Sequence, residues 1–198
     1  MHPGFYVLFA FILIIILGII WGFKLRASRE KAVIDFAHKY DLEIHVDDVL
    51  KKGRLHISGK IDGYDFELIE AVATRLEHKP TFWTYVKISP CTVDFDFQIM
   101  PEYWGMKLAK LVGYTDVKIG VDTFDKQFIC HAKEEEKLKF WLTTERQELI
   151  NSIEDNFLGM IENNVDEQVL QYVHMGTIQQ QYQMDNIEAI LLAMLKLK

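Results

Sequence analysis

Residues Phe5 to Phe23 read FYVLFAFILIIILGIIWGF, a run without a charged or amide side chain. As a helix it spans about 28 Å, close to the hydrocarbon thickness of a bilayer. Trp21 near one end and Tyr6 near the other suit the two interfaces. A cleaved signal peptide wants positive charge before its apolar core and small residues after it. Met1 to Gly4 has no Lys or Arg, and the run is followed by Lys24, Leu25 and Arg26. The expectation is an uncleaved transmembrane anchor over residues 1–26, with Tyr6, Trp21, Lys24 and Arg26 at the membrane interface.

The flanks also orient the anchor. Lys24, Arg26, Arg29 and Lys31 crowd its C-terminal side, opposed only by Glu30. The positive-inside tendency then expects a single-pass protein of the cell (inner) membrane, its N-terminus outside and residues 27–198 forming one cytoplasmic domain. Two cysteines, Cys91 and Cys130, lie outside any CxxC pair. Such sparse thiols fit a reducing compartment and are expected free and buried. No Pro- or Ser-rich linker follows the anchor, so the domain is expected close to the bilayer.

All formal charge lies after the apolar run: 22 Lys and Arg against 29 Asp and Glu, a net of -7. An acidic domain with no basic stripe repels phosphate backbones, which argues against nucleic acid as a partner.

Periodicity organises the rest. Val33, Phe36, Ala37 and Tyr40 fall at helical spacing, predicting an amphipathic helix over 27–40. Leu55, Ile57 and Ile61 alternate up to Asp62-Gly63, and Tyr64 to Ala71 resumes beyond it. That pair predicts a two-residue hairpin, because Gly supplies the positive φ the turn needs. Thr81 to Ser89 and Val93 to Met100 read as a second strand pair. The latter alternates Val93, Phe95, Phe97 and Ile99 with Asp94, Asp96 and Gln98. A short helix is predicted from Glu102 to Leu111, a strand from Phe128 to Ala132, and a helical turn or two from Lys133 to Trp141. Thr144 with Gln147 reads as a capping box, and Asp185 with Glu188 as the capping pair of a closing amphipathic helix. A last hairpin is placed around Asn163-Asn164. Strands followed by helices make the expected class α+β: an N-terminal transmembrane helix, antiparallel hairpins with packed helices, and a C-terminal amphipathic helix.

Within 116–129, DVKIGVDTFDKQFI, followed by Leu142-Thr143 before a helix, Asp122, Phe124, Asp125 and Phe128 form an acidic-x-x-Phe-Asp-x-x-Phe pattern. It resembles a widespread group of uncharacterised bacterial proteins, often membrane-anchored. The resemblance implies a bacterial origin and a membrane-associated domain, but no activity, substrate or cofactor. Physically, Phe124 and Phe128 are one helical turn apart and pack together, with Asp125 capping the turn or facing water.

The case for an enzyme is thin. No HExxH, Walker A, GxGxxG or nucleophile elbow occurs, and neither a catalytic residue, a metal ligand nor a cofactor is expected. Asp94 and Asp96 share a strand face in this reading, which is weighed as a wetted surface. His45, Asp47 and Asp48 offer too few ligands for a structural zinc site. Cys130 and His131 point to opposite faces of a strand.

The aromatic residues give the better cue. If Phe82, Thr84, Val86 and Ile88 face the core, Trp83 and Tyr85 face away, with Tyr103 and Trp104 near them as a candidate partner patch. The expected function is a membrane-anchored interaction or scaffold module, its partner a protein or a second copy of the chain. The alternatives are a membrane-tethered hydrolase or metal-dependent enzyme, and a lipid or ligand site between the sheet and the C-terminal helix.

Overall fold

The computed structural model describes residues 3–45, 55–76, 79–102, 116–153 and 159–198, with the backbone alone at 3–10, 73–76 and 79–80. The chain is α+β. Helix α1 (Pro3–Lys39) is followed by strands β1 (Glu43–Ile44), β2 (His56–Ile61), β3 (Tyr64–Leu76), β4 (Lys79–Ser89) and β5 (Phe97–Pro101). Then come α2 (Asp122–Gln127), β6 (Phe128–Ala132), α3 (Glu135–Trp141), α4 (Thr144–Ser152), β7 (Met160–Asn164), β8 (Val169–Met175) and α5 (Gln181–Leu197). The eight strands form one antiparallel sheet in the order β1-β2-β3-β4-β8-β7-β5-β6.

Helix α1 does not break between its apolar and amphipathic parts. Its N-terminal part is long and apolar enough to cross a membrane. Along that part the side chains stand bare, with Ile14 at 66% and Trp21 at 68% exposure. One face of the following turns is buried instead: Ala32, Val33, Phe36 and Ala37 join the domain core. Apolar residues all round suit a helix solvated by lipid, and an apolar stripe suits one lying on a sheet. Both patterns are written into a single 37-residue helix.

The helices gather on one face of the sheet. Phe36 of α1 meets Phe66 of β3 at 5.9 Å between ring centroids, and Trp141 of α3 meets Phe97 of β5 at 4.5 Å. Phe124 of α2 packs on Phe128 at 4.9 Å, as their spacing predicts. From α5, Ile187, Ile190, Leu191, Met194 and Leu197 are all within 2% of complete burial. They fill the space between that helix and the sheet.

The β2–β3 turn is as its sequence demands: Asp62 and Gly63 have φ of 52° and 85°. A two-residue turn with both residues left-handed matches the twist of the strands it joins.

Several boundaries differ from the sequence reading. Residues 90–96 are irregular, and β4 pairs with β3 and β8 instead of with Val93–Met100. Both edges of β4 are occupied, so the chain crosses the β7–β8 turn before entering the sheet. The Cys91 N–H donates to the Gln168 carbonyl at 2.7 Å, and the Val165 N–H to Asp96 at 2.9 Å. Buried Asn163 donates to the Val93 and Phe95 carbonyls at 3.1 and 2.7 Å, replacing ladder bonds with side-chain ones. Asp94 and Asp96 therefore do not share a strand face. Asn163 and Asn164 belong to β7, and the turn lies between Asn164 and Val169, which pair.

Caps shift as well. Thr143, not Thr144, caps α4, its Oγ1 accepting from the Arg146 N–H. Helix α5 starts a turn earlier than Asp185, with a capping box between Gln180 and Gln183. The helix predicted from Glu102 to Leu111 lies, beyond Glu102, outside the described residues, as do Asp47 and Asp48.

Candidate functional site

Burial divides β4 as its alternation predicts. Thr84, Val86 and Ile88 are buried on the helix side, while Trp83, Tyr85 and Lys87 are half-buried on the other. Among the described residues no helix lies on that second face. Register places Ile69, Tyr85, Val173 and Met160 in one row across β3, β4, β8 and β7. Ala71, Trp83 and Met175 form the row beside it. Val173 is buried, whereas Met175 is 57% exposed. Of the residues grouped with this patch from sequence, Tyr103 and Trp104 lie outside the described residues. At the anchor, Trp21, Lys24 and Arg26 are exposed on α1, and the Tyr6 side chain lies outside the described residues.

A polar row flanks the apolar ones. Ser58, Glu67, Lys87, Gln171, Glu162, Gln98 and His131 are successive register partners from β2 across to β6. Glu162 is clamped within it, accepting from Gln98 Nε2 at 2.9 Å and from Gln171 Nε2. A carboxylate held by amide donors on both sides is a structural acceptor, poorly placed to take a proton from a substrate.

Two of the clefts formed by the described residues bear on function. One of about 500 Å³ is lined by Asp96, Gln98, His131, Glu162 and Asp166 among others. It converges polar groups but holds no Ser, Thr or Cys to act as a nucleophile beside His131. The other, about 410 Å³, has Trp141 and Phe95 inside a rim of Lys137, Arg146 and Lys198. Arg146 lies 4.7 Å over the Trp141 ring, and neighbouring Phe140 is 89% exposed. Neither cleft is lined by the residues of α5 that face the sheet. Among the described residues no group of three His, Cys, Asp or Glu is arranged to hold a metal.

The thiols are unbridged and buried. Burial pushes the pKa of both Cys91 and Cys130 up, so neither is a ready nucleophile. Asp125 accepts from the Ile119 and Gly120 N–H groups, each at 2.9 Å, which makes it the staple of the loop before α2. Asp94 forms an exposed pair with Lys137 at 3.0 Å. The His45 ring lies tilted against His56 at 4.3 Å between centroids and shares a 2.7 Å hydrogen bond with Ser58.

One feature escaped the sequence reading. Glu70, with its side chain fully buried on the helix side of β3, receives Arg29 of α1 at 2.6 Å and the Ile178 N–H at 2.7 Å. Its cross-strand partner Thr84 is buried too and donates to the Gly176 carbonyl at 2.8 Å. This cluster ties α1, the sheet and the β8–α5 connection at one point. Burial raises the Glu70 pKa and outweighs the opposing pull of Arg29. The signal available in sequence was a carboxylate at an inward position, after Phe66 and Leu68.

No family model and no curated protein matches the chain.

Proposed function

We propose that this is a single-pass membrane protein whose domain, on the cytoplasmic side, docks a protein partner on the sheet face opposite its described helices. The observation that carries the reading is the unbroken α1, whose last turns are part of the domain core. A domain joined in this way holds a set height and angle over the bilayer, which suits a docking platform better than a tethered catalyst. Trp83 and Tyr85 supply the aromatic area that anchors such contacts. The cationic flank at Lys24, Arg26 and Lys31 supports the cytoplasmic side, as do two buried, unbridged thiols. The resemblance around Phe124 and Phe128 supports a bacterial origin.

A photo-crosslinking residue at Tyr85, in the full chain in membranes, tests the docking face. It is expected to capture a defined protein, or a second copy, that a probe at exposed Lys60 does not. Equal capture at both positions argues against the face. The alternative, a membrane-tethered enzyme, rests on the cleft beside His131 and predicts an activity lost in His131→Ala.

A further inference from the structure

Two contacts fix how α1 lies along β3. Arg29 meets Glu70, and Phe36 meets Phe66. The step from Arg29 to Phe36 covers about 10 Å of helix, and that from Glu70 to Phe66 about 13 Å of strand. The two contacts follow opposite chain directions in helix and strand, so the way along β3 from Phe66 to Glu70 is the way along α1 toward the apolar run. Beyond Glu70, β3 continues to Leu76 through a bulge between Val72 and Thr74, at most about 20 Å further. From Arg29, α1 reaches Phe23, the end of the apolar run, in about 9 Å. The strand passes the level of Phe23 unless it leans from the helix axis by more than about 60°.

Over that distance the strand has lost most of its sheet. Strand β2 ends against β3 at His56 and Ile69, and β8 ends against β4 at Met175 and Trp83. One backbone bond follows on each side, Glu70 N–H to the Leu55 carbonyl and Gly176 N–H to the Phe82 carbonyl. Among the described residues, what continues is a two-stranded ribbon in which Thr74 pairs with Thr81, Arg75 with Pro80 and Leu76 with Lys79. A lone ribbon of this kind is marginal in water and needs a surface to lie on. At its root Met175 is 57% exposed, as is Tyr182 at the start of α5.

We propose that the β3–β4 ribbon is a second membrane contact, entering the lipid headgroup layer beside the anchor. The inference rests on α1 being a membrane span. With it, the domain touches the bilayer at two separated points, which fixes its tilt as well as its height.

The test is spin-label depth measurement on the full chain in phosphatidylcholine–phosphatidylglycerol vesicles. The native thiols are buried, so single cysteines at the surface label selectively. Labels go on T74C and R75C in the ribbon, on I14C in the anchor and on K60C near the opposite end of β3. Collisions with a water-soluble nickel complex are expected to be several-fold rarer at both ribbon sites than at K60C, and rarest at I14C. Ribbon labels as accessible as K60C, with I14C protected, overturn the ribbon contact alone. An accessible I14C label overturns the span itself and the contact with it.

Discussion

Replacing Arg29 with Met removes the guanidinium from Glu70 while keeping most of the side-chain stem. Glu70 then sits with its carboxylate fully buried and no guanidinium beside it, while the Ile178 N–H still donates to it. Breaking a buried pair from one side costs about 3–5 kcal/mol, because the surviving charge is uncompensated. Protonation limits this loss. Holding a glutamic acid neutral at pH 7, against an unfolded pKa of about 4.3, costs about 3.7 kcal/mol, at about 1.4 kcal/mol per pH unit. Burial already raises the Glu70 pKa in the native protein, so part of that cost is present before the substitution. The expected loss for R29M is thus about 2–4 kcal/mol at pH 7. The sign follows from linkage: a carboxyl whose folded pKa is raised contributes stability at low pH and loses it as pH rises through that pKa. R29M should therefore approach the native stability as pH falls toward the ordinary glutamate range. Adding Glu70→Gln keeps an acceptor for Ile178 and removes the charge, so the double variant should recover most of the loss at neutral pH. Denaturant unfolding of the full chain in detergent micelles, followed by tryptophan fluorescence at several pH values, measures both. A pH-independent loss, or a double variant as unstable as R29M, would refute the idea that an uncompensated carboxylate is the cause.

Gly63→Val forces a β-branched residue to a φ of 85°; with open space around its Cβ, the expected loss is purely conformational, about 1–2 kcal/mol by thermal unfolding. Gly159→Ala is expected to cost more, about 2–3 kcal/mol or above, since a Cβ there would stand 2.1 Å from the Val173 carbonyl oxygen. Trp83→Ala and Tyr85→Ala should weaken partner capture by about 2 kcal/mol each in a pull-down titration, with the circular dichroism of the domain retained. Asp94→Asn should leave the thermal midpoint unchanged, because its pair with Lys137 is exposed. Asp96→Ala should lower stability by about 1 kcal/mol through the lost bond from the Val165 N–H.

Local chemistry was the legible part. Asp62-Gly63 dictates its turn because few residues tolerate both φ values, and the stripe Ile187, Ile190, Leu191, Met194 names the buried face of α5 whatever it packs on. Phe124 and Phe128 needed only helical spacing. Strand partnership was not legible, because it is decided by neighbours far along the chain. Val93, Phe95 and Phe97 alternate with polar residues as a strand would. Yet the Phe95 and Phe97 rings both pack on Trp141, and Phe95 reaches it from irregular backbone held by Asn163. Caps were missed for a related reason: Thr143 and Thr144 are chemically equivalent, and at α5 the less usual cap Gln180 is used five residues before Asp185, so tertiary packing decides where each helix starts. In the candidate site, the outward side of β4 followed from alternation alone. The Arg29–Glu70 pair did not, since nothing local links residues on α1 and β3.

Because α1 passes into the domain without a hinge, residue number along it acts as a phase. Each residue added between Trp21 and Arg29 turns the domain by about 100° about the helix axis and lifts it by about 1.5 Å. One inserted residue would swing Trp83 and Tyr85 through more than a quarter-circle. Seven would return them to within about 20° of their starting direction, about 10 Å further from the lipid. On the proposed reading, the ribbon would then hang clear of the headgroups while the docking face still pointed the same way. Height and heading are thus two separately adjustable quantities, both counted in residues along one helix.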